Sequence, residues 1–213
     1  EADGLHVLGT FQKPLLPDAL ECSLLRYIHD ISVVAEDSNK DTVEQDVTAL
    51  ELNQALANGE MVLAFQPKLT VQGLMLRGVE ALARWHHPTK GMISPGVFIP
   101  LAERHGLIDA LTRHLLEQAF QYKRTWQQYG LRFNLAFNLS PLSLADIDIV
   151  DWLCALAEQY AVPANEVTFE ITENALLGEL ASAIQTLARL RLKGFHIAID
   201  DYGTGFANAQ QLS

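Results

Sequence analysis

Val79-Glu80-Ala81-Leu82-Ala83-Arg84-Trp85 is the stretch that decides the fold. In an extended chain its residues alternate, so Glu80, Leu82 and Arg84 share one face. If that face points inward, a glutamate and an arginine are both partly buried. Unpaired buried charge is costly, so each needs a metal, an anion or the other as its partner. A Glu80–Arg84 ion pair is one reading of the spacing; a ligand site is the other.

Working outward, four more runs end in the same way: Phe65-Gln66-Pro67, Phe137-Asn138-Leu139-Ser140, Phe169-Glu170-Ile171-Thr172-Glu173-Asn174, and the segment 197–206, IAIDDYGTGF. Glu80, Asn138, Glu170, Asp200 and Asp201 thereby stand at strand ends. Hard oxygen donors converging from different strands describe a divalent metal site. Asn138 shares a face with Asn134 and Ala136, and it also suits a turn. Glu170 and Thr172 face one way; Glu173, at the strand end, fits either the site or the N-terminus of the next helix. The neighbours Asp200 and Asp201 repel and raise each other's pKa unless cations neutralise them. Such a pair can bridge two metals roughly 3.5–4 Å apart. Gly203 and Gly205 then permit a tight loop.

Around these motifs strand and helix patterns alternate. Strand-like runs cover 61–66, 75–84, 132–139, 166–172 and 195–200; helix-like runs cover 96–105, 108–129, 143–160 and 175–193. Leu111, Leu115, Leu116 and Ala119 form the apolar face of the second of these helices. The pattern predicts a (β/α) barrel or an open parallel sheet. Residues 43–58 read as a helix with Val43, Val47, Leu50 and Ala57 on one side and Asn58-Gly59 as its stop. Ahead of it, the polar, acidic stretch 35–46 reads as a linker. Residues 5–16 read as a strand running into Lys13-Pro14, and 17–29 as a helix with Leu20, Leu24, Leu25 and Ile28 on one face.

The 213 residues carry a net charge of −11, which argues against nucleic-acid polymers as partners. A small anionic ligand stays compatible, because bound cations reverse the local field. Cys22 and Cys154 lack metal-ligand spacing and read as reduced thiols of a cytoplasmic protein. His86 and His87 are adjacent, point apart in a strand, and read as non-ligands. No apolar run approaches the roughly 18–20 residues that span a bilayer. The first residues, Glu-Ala-Asp-Gly, show no signal peptide, and the missing initial Met suggests a fragment.

The order and wording of the motifs resemble the EAL domain, a family of cyclic-di-GMP phosphodiesterases named for the triplet standing here at Glu80-Ala81-Leu82. The resemblance implies a modified TIM-like barrel with one antiparallel strand, beginning near residue 49 and running to 213. It implies Mg²⁺ or Mn²⁺, two ions, held by Glu80, Asn138, Glu170, Asp200 and Asp201, with Glu173 holding the following catalytic loop in place. It assigns substrate contacts to Gln66, Arg84, Pro95 and Phe98, where Gln66 also reads as a surface residue and Phe98 equally as a core aromatic. It implies hydrolysis of cyclic-di-GMP to linear pGpG. The alternative is an inactive module that binds cyclic-di-GMP or a protein partner; the full set of motif acids favours the enzyme. Departures are Ala207-Asn208-Ala209, where the family has a small serine-rich stretch, and the absence of the family's later lysine, later acid and closing strands. Residues 1–30 resemble the last strand and helix of a response-regulator receiver domain, with Lys13 as its phosphate-sensing lysine, and 31–48 join the two parts. That resemblance implies a cognate histidine kinase, and the family resemblance a homodimer.

Overall fold

The computed structural model describes residues 46–70, 75–172 and 180–200. The expectations for Lys13, the receiver-like segment, Glu173 and Asp201 lie outside them.

Helix α1 (Ala49–Asn58) starts at a capping box. The Thr48 hydroxyl accepts from the Glu51 N–H at 3.2 Å, and Glu51 accepts from the Thr48 N–H at 2.7 Å. The helix therefore begins six residues later than the expected position 43, because Thr48 is held extended as the cap. Its buried residues are Leu52 and Ala55, whereas Leu50 is 66% exposed. Val47 and Leu52, at the two positions of a hydrophobic staple, are both in the core.

Strand β1 (Met61–Leu69) pairs antiparallel with β2 (Leu76–His87), setting Gln66 opposite Glu80. The expected first strand ends at Gln66. The structure carries it through Pro67, on a strand at the end of the described sheet, where a missing N–H can face outward. Strand β3 (Gly91–Ile93) folds back onto β2, Trp85 opposite Ile93. This three-residue hairpin arm is too short for periodicity to reveal.

Ser94 then caps α2 (Pro95–Arg104), with Pro95 at the first helical position. Helix α3 (Ile108–Gln128) buries Leu111, Leu115, Leu116 and Ala119, the expected face. Next come β4 (Asn134–Asn138), a 3₁₀ turn at Leu142–Ala145, and α4 (Ile149–Gln159). The expected helix over 143–160 thus starts at 149: the Asp146 carboxylate takes the Asp148 N–H at 2.9 Å and shapes a turn before it. Strand β5 (Val167–Thr172), α5 (Leu180–Leu192) and β6 (His196–Asp200) complete the described chain.

The strand order is β1-β2-β4-β5-β6, with β3 on the flank of β2. Strands β2, β4, β5 and β6 are mutually parallel and β1 runs against them. Along this main path, with the short β3 hairpin arm aside, this is the TIM-like arrangement with one antiparallel strand, present here as a sheet open between β1 and β6 among the described residues. Alternation assigns its two faces. Val79, Ala81, Leu135, Phe137, Phe169 and Ile171 point into the core shared with the helices. Fully burying a side chain such as Phe169 or Leu135 contributes about 1.5–3 kcal/mol. Gln66, Lys68, Glu80, Asn138 and Glu170 belong to the opposite face.

At the N-terminal ends of β4 and β5 the core contains a charge. Lys123 of α3 is fully buried, donates to the Phe133 carbonyl, and pairs with Glu166 at 2.8 Å. Its ammonium also lies 5.1 Å from the centre of the Phe133 ring. Burial pushes the Lys123 pKa down, a push that Glu166 opposes without cancelling. Burial pushes Glu166 up, but the hydrogen bond and charge of Lys123 prevail and hold it below the usual carboxylate range.

Candidate active site

Parallel register brings the sequence-predicted donors together. Glu80 pairs across with Ala136, and Asn138 with Glu170, so Glu80, Asn138 and Glu170 lie on one face of three neighbouring strands. The Asn138 Nδ2 donates to Glu80 Oε1 at 2.8 Å, which leaves the Asn138 Oδ1 as the donor atom toward a cation. Asn138 closes its strand as expected. Glu80 does not: it is the fifth residue of the twelve-residue β2, which runs on to form the hairpin with β3. Asp200 ends β6 in register with Thr172, one step of the pleat beyond Glu170, with its side chain outside the described residues.

One residue of the cluster escaped the sequence reading. Lys68 of β1 donates to Glu170 Oε1, and its Nζ stands 3.3 Å from Glu80 Oε2. Burial pushes its pKa down, but the hydrogen bond and charge of Glu170, joined by Glu80, leave it above the usual lysine value. The signal was its alternation with Gln66 beyond Pro67. The contact also reports curvature. β1 and β5 stand three steps apart in strand order, about 14 Å in a flat sheet, so a lysine and a glutamate meet across that gap only if the sheet curls.

Glu80 therefore pairs with Lys68 and Asn138 rather than with Arg84. The Arg84 guanidinium donates to the Ala83 carbonyl at 2.8 Å and meets no carboxylate among the described residues. Arg84 lines a cavity of about 340 Å³ beside the cluster, together with Pro95, Glu103, Asn138, Ser140 and Glu170. Gln66 is exposed, opposite Glu80. Phe98 is a correction: it is fully buried, edge-on to Trp85 at 6.1 Å, and presents no surface to a ligand. Its apolar position between Pro95 and Leu101 fits a core aromatic of α2. A second residue absent from the sequence reading is Glu103, which accepts from Ser140 Oγ at 2.8 Å and so anchors the turn after Asn138 to α2.

The donor set suits a hard cation. Two carboxylates and an amide oxygen meet, and an ammonium already lies between the carboxylates. Among the described residues no three His, Cys, Asp or Glu side chains cluster; further oxygens would come from Asp200 and Asp201.

A curled α/β sheet with acids and an amide gathered on its inner face defines the class, a TIM-like barrel domain carrying a polar site. Residues 49–213 match the EAL domain, and the chain belongs to that family. It is 33% identical over 218 residues to the cyclic di-GMP phosphodiesterase RocR of Pseudomonas aeruginosa, an alignment covering 100% of this chain and 53% of RocR. It is 35% identical over 175 residues to the bifunctional diguanylate cyclase/cyclic di-GMP phosphodiesterase MucR of the same organism, covering 82% of this chain and 26% of MucR. The chain thus spans about half the length of one of these relatives and about a quarter of the other. Among solved structures, the PaMucR phosphodiesterase in complex with c-di-GMP superposes with a TM-score of 0.70 at 36% identity, over 74% of this chain and 64% of that one. The EAL enzyme Bd1971, bound to cAMP and cyclic-di-GMP, gives 0.68 at 28% identity over 91% of this chain and 53% of that one.

Proposed function

We propose that this chain carries part of the active site of a metal-dependent phosphodiesterase that opens cyclic-di-GMP to linear pGpG. The observation that carries the reading is the convergence of Glu80, Asn138 and Glu170 from three strands onto one cluster. The family membership and the c-di-GMP complex of a 36%-identical relative supply the substrate class. Glu80, Asn138 and Glu170, with Asp200 and Asp201, would hold Mg²⁺ or Mn²⁺. When bound, such ions supply Lewis-acid activation of the phosphodiester and of the attacking water.

The chain's own groups then divide the remaining work. The Asn138–Glu80 hydrogen bond fixes the angle at which both present oxygen. Glu103, through Ser140, holds the backbone turn that follows Asn138. Arg84 lines the adjoining cavity with one guanidinium nitrogen held on the Ala83 carbonyl, and its remaining donors would serve a phosphate there. Exposed Gln66 offers an amide at the rim, and Pro95 a rigid apolar edge.

Residues 1–30 we assign to the end of a receiver-like domain under a histidine kinase, with 31–48 as the linker. The apolar run into Lys13-Pro14 and the amphipathic spacing of Leu20, Leu24, Leu25 and Ile28 support that assignment. Among the described residues no helix is long and apolar enough to cross a membrane. The test is incubation with cyclic-di-GMP and Mg²⁺ or Mn²⁺, following pGpG by chromatography. Product that disappears with EDTA is expected; saturable binding without product would make the protein a receptor instead.

A further inference from the structure

Lys68 has a place in the cluster that the metal-site reading does not use. It rises from β1, where the register shifts between Lys68 and Leu69. Such irregularities re-aim a side chain, and this one directs the ammonium across the sheet to Glu80 and Glu170 together. Those are the two carboxylates assigned to the cation. A divalent ion that closes on these carboxylates at about 2.0–2.2 Å stands within a few ångströms of the ammonium they hold, and the two positive charges repel.

We propose that Lys68 is a built-in counter-ion of the site: it holds Glu80 and Glu170 together and exchanges places with the divalent cation. The inference rests on the metal-dependent reading above. Three observations make the exchange physically reasonable. Lys68 touches both carboxylates, so it neutralises the repulsion that two acids on one concave face would otherwise suffer. Its side chain is 41% exposed, so the four-carbon stem can swing its charge into water when displaced. Asn138 contacts Glu80 at Oε1, the oxygen other than the one facing Lys68, so departure of the lysine leaves that bond intact.

Lys68 is thus a positioning residue with an opposing effect on affinity. A residue that merely braced the site would weaken metal binding when removed. A competing cation strengthens it when removed, because the metal no longer displaces a charge.

The experiment compares wild type, Lys68→Gln and Lys68→Arg by Mn²⁺ titration and by thermal melting in EDTA. Lys68→Gln is expected to bind Mn²⁺ roughly three- to tenfold more tightly, on the scale of removing one nearby unit charge in a partly aqueous site. In EDTA it is expected to melt at a lower temperature than wild type, while Lys68→Arg, which keeps the charge, matches wild type in both readouts. Equal or weaker Mn²⁺ affinity in Lys68→Gln would overturn the exchange, whatever happens to the melting temperature. The phosphodiesterase reading fails separately: tighter Mn²⁺ binding by Lys68→Gln in a protein whose wild type makes no pGpG would leave the exchange standing and remove the activity.

Discussion

Two lysine–glutamate clusters occupy the two ends of this sheet, and they use the same chemistry in opposite ways. Lys123 and Glu166 meet at the N-terminal ends of β4 and β5, with the lysine side chain fully buried. Lys68 meets Glu80 and Glu170 on the concave face, with its side chain 41% exposed. Burial depresses the pKa of Lys123, whereas two carboxylates raise that of Lys68. The enclosed pair has one geometry and fastens α3 to the start of two strands. The open cluster has one more acid than base and can trade its cation. The difference teaches that solvent access separates an enclosed tie from a cluster a ligand can reach, even when the residue types are identical.

The largest effect expected on the open end is chemical. Glu80→Ala should lower pGpG formation by roughly 10³-fold or more, about 4 kcal/mol in the barrier, with the melting temperature nearly unchanged. A variant with near-parental turnover would remove Glu80 from the site. At the closed end the reverse is expected. Lys123→Ala takes from Glu166 its nearest cation, leaving it Gln127 at 3.2 Å and Arg132 at 3.6 Å, and opens a void beneath Phe133, at a cost of about 2–4 kcal/mol by denaturant unfolding. A loss under about 1 kcal/mol would show that the pair is not a tie at all.

Gly78 lies between the two ends and couples them. A Cβ there would sit 2.7 Å from the Asn134 carbonyl oxygen and 3.2 Å from the Asn134 Cβ. Backbone cannot move aside as a flexible side chain can, so Gly78→Ala should push β2 from β4 and cost about 1–3 kcal/mol. Because Glu80 and Asn138 hang on these two strands, turnover should fall as well. A destabilised variant with full turnover would show that their hydrogen bond tolerates a wider sheet.

These residues also show what could be read from the chain alone. The alternation of Val79 to Arg84 and of Asn134 to Asn138 gave the inner face, since a pleat of period two needs no tertiary information. The face of α3 was equally plain from its spacing. Lys68 lies two residues past the expected end of its strand at Gln66, and an edge position lets the strand continue through Pro67. Leu52 and Ala55 displaced Leu50 and Ala57 as the buried side of α1 once Thr48 fixed where the helix starts. The pairing of Lys123 with Glu166 spans 43 residues and has no local signature; only the packing of α3 against the strand starts creates it. Phe98 had two readings, core or ligand contact, that differ solely in exposure.

The smallest effect concerns a third lysine–glutamate pair, one that lies on the surface. Lys90, in the turn between β2 and β3, donates to Glu51 at 2.6 Å and to the Asp46 carbonyl at 2.7 Å, tying α1 to the hairpin. The Lys90 hydrogen bond, followed by those from the Thr48 backbone and hydroxyl, lowers the Glu51 pKa from 4.5 to about 2. A depressed carboxylate stabilises the fold above its unfolded pKa and loses that contribution as pH falls through the folded one. Glu51→Gln should therefore be less stable than wild type at pH 7, and the difference should shrink from pH 4.5 downward and vanish only below about pH 2. Unfolding midpoints of both proteins across that range are the measurement. A difference that stays constant from pH 7 to the acid end would mean that the capping hydrogen bonds, which glutamine can partly replace, carry the effect, and that the charge of Lys90 contributes nothing. Water screens this pair as it does not screen Lys123, so its loss should leave both the buried tie and the open site intact.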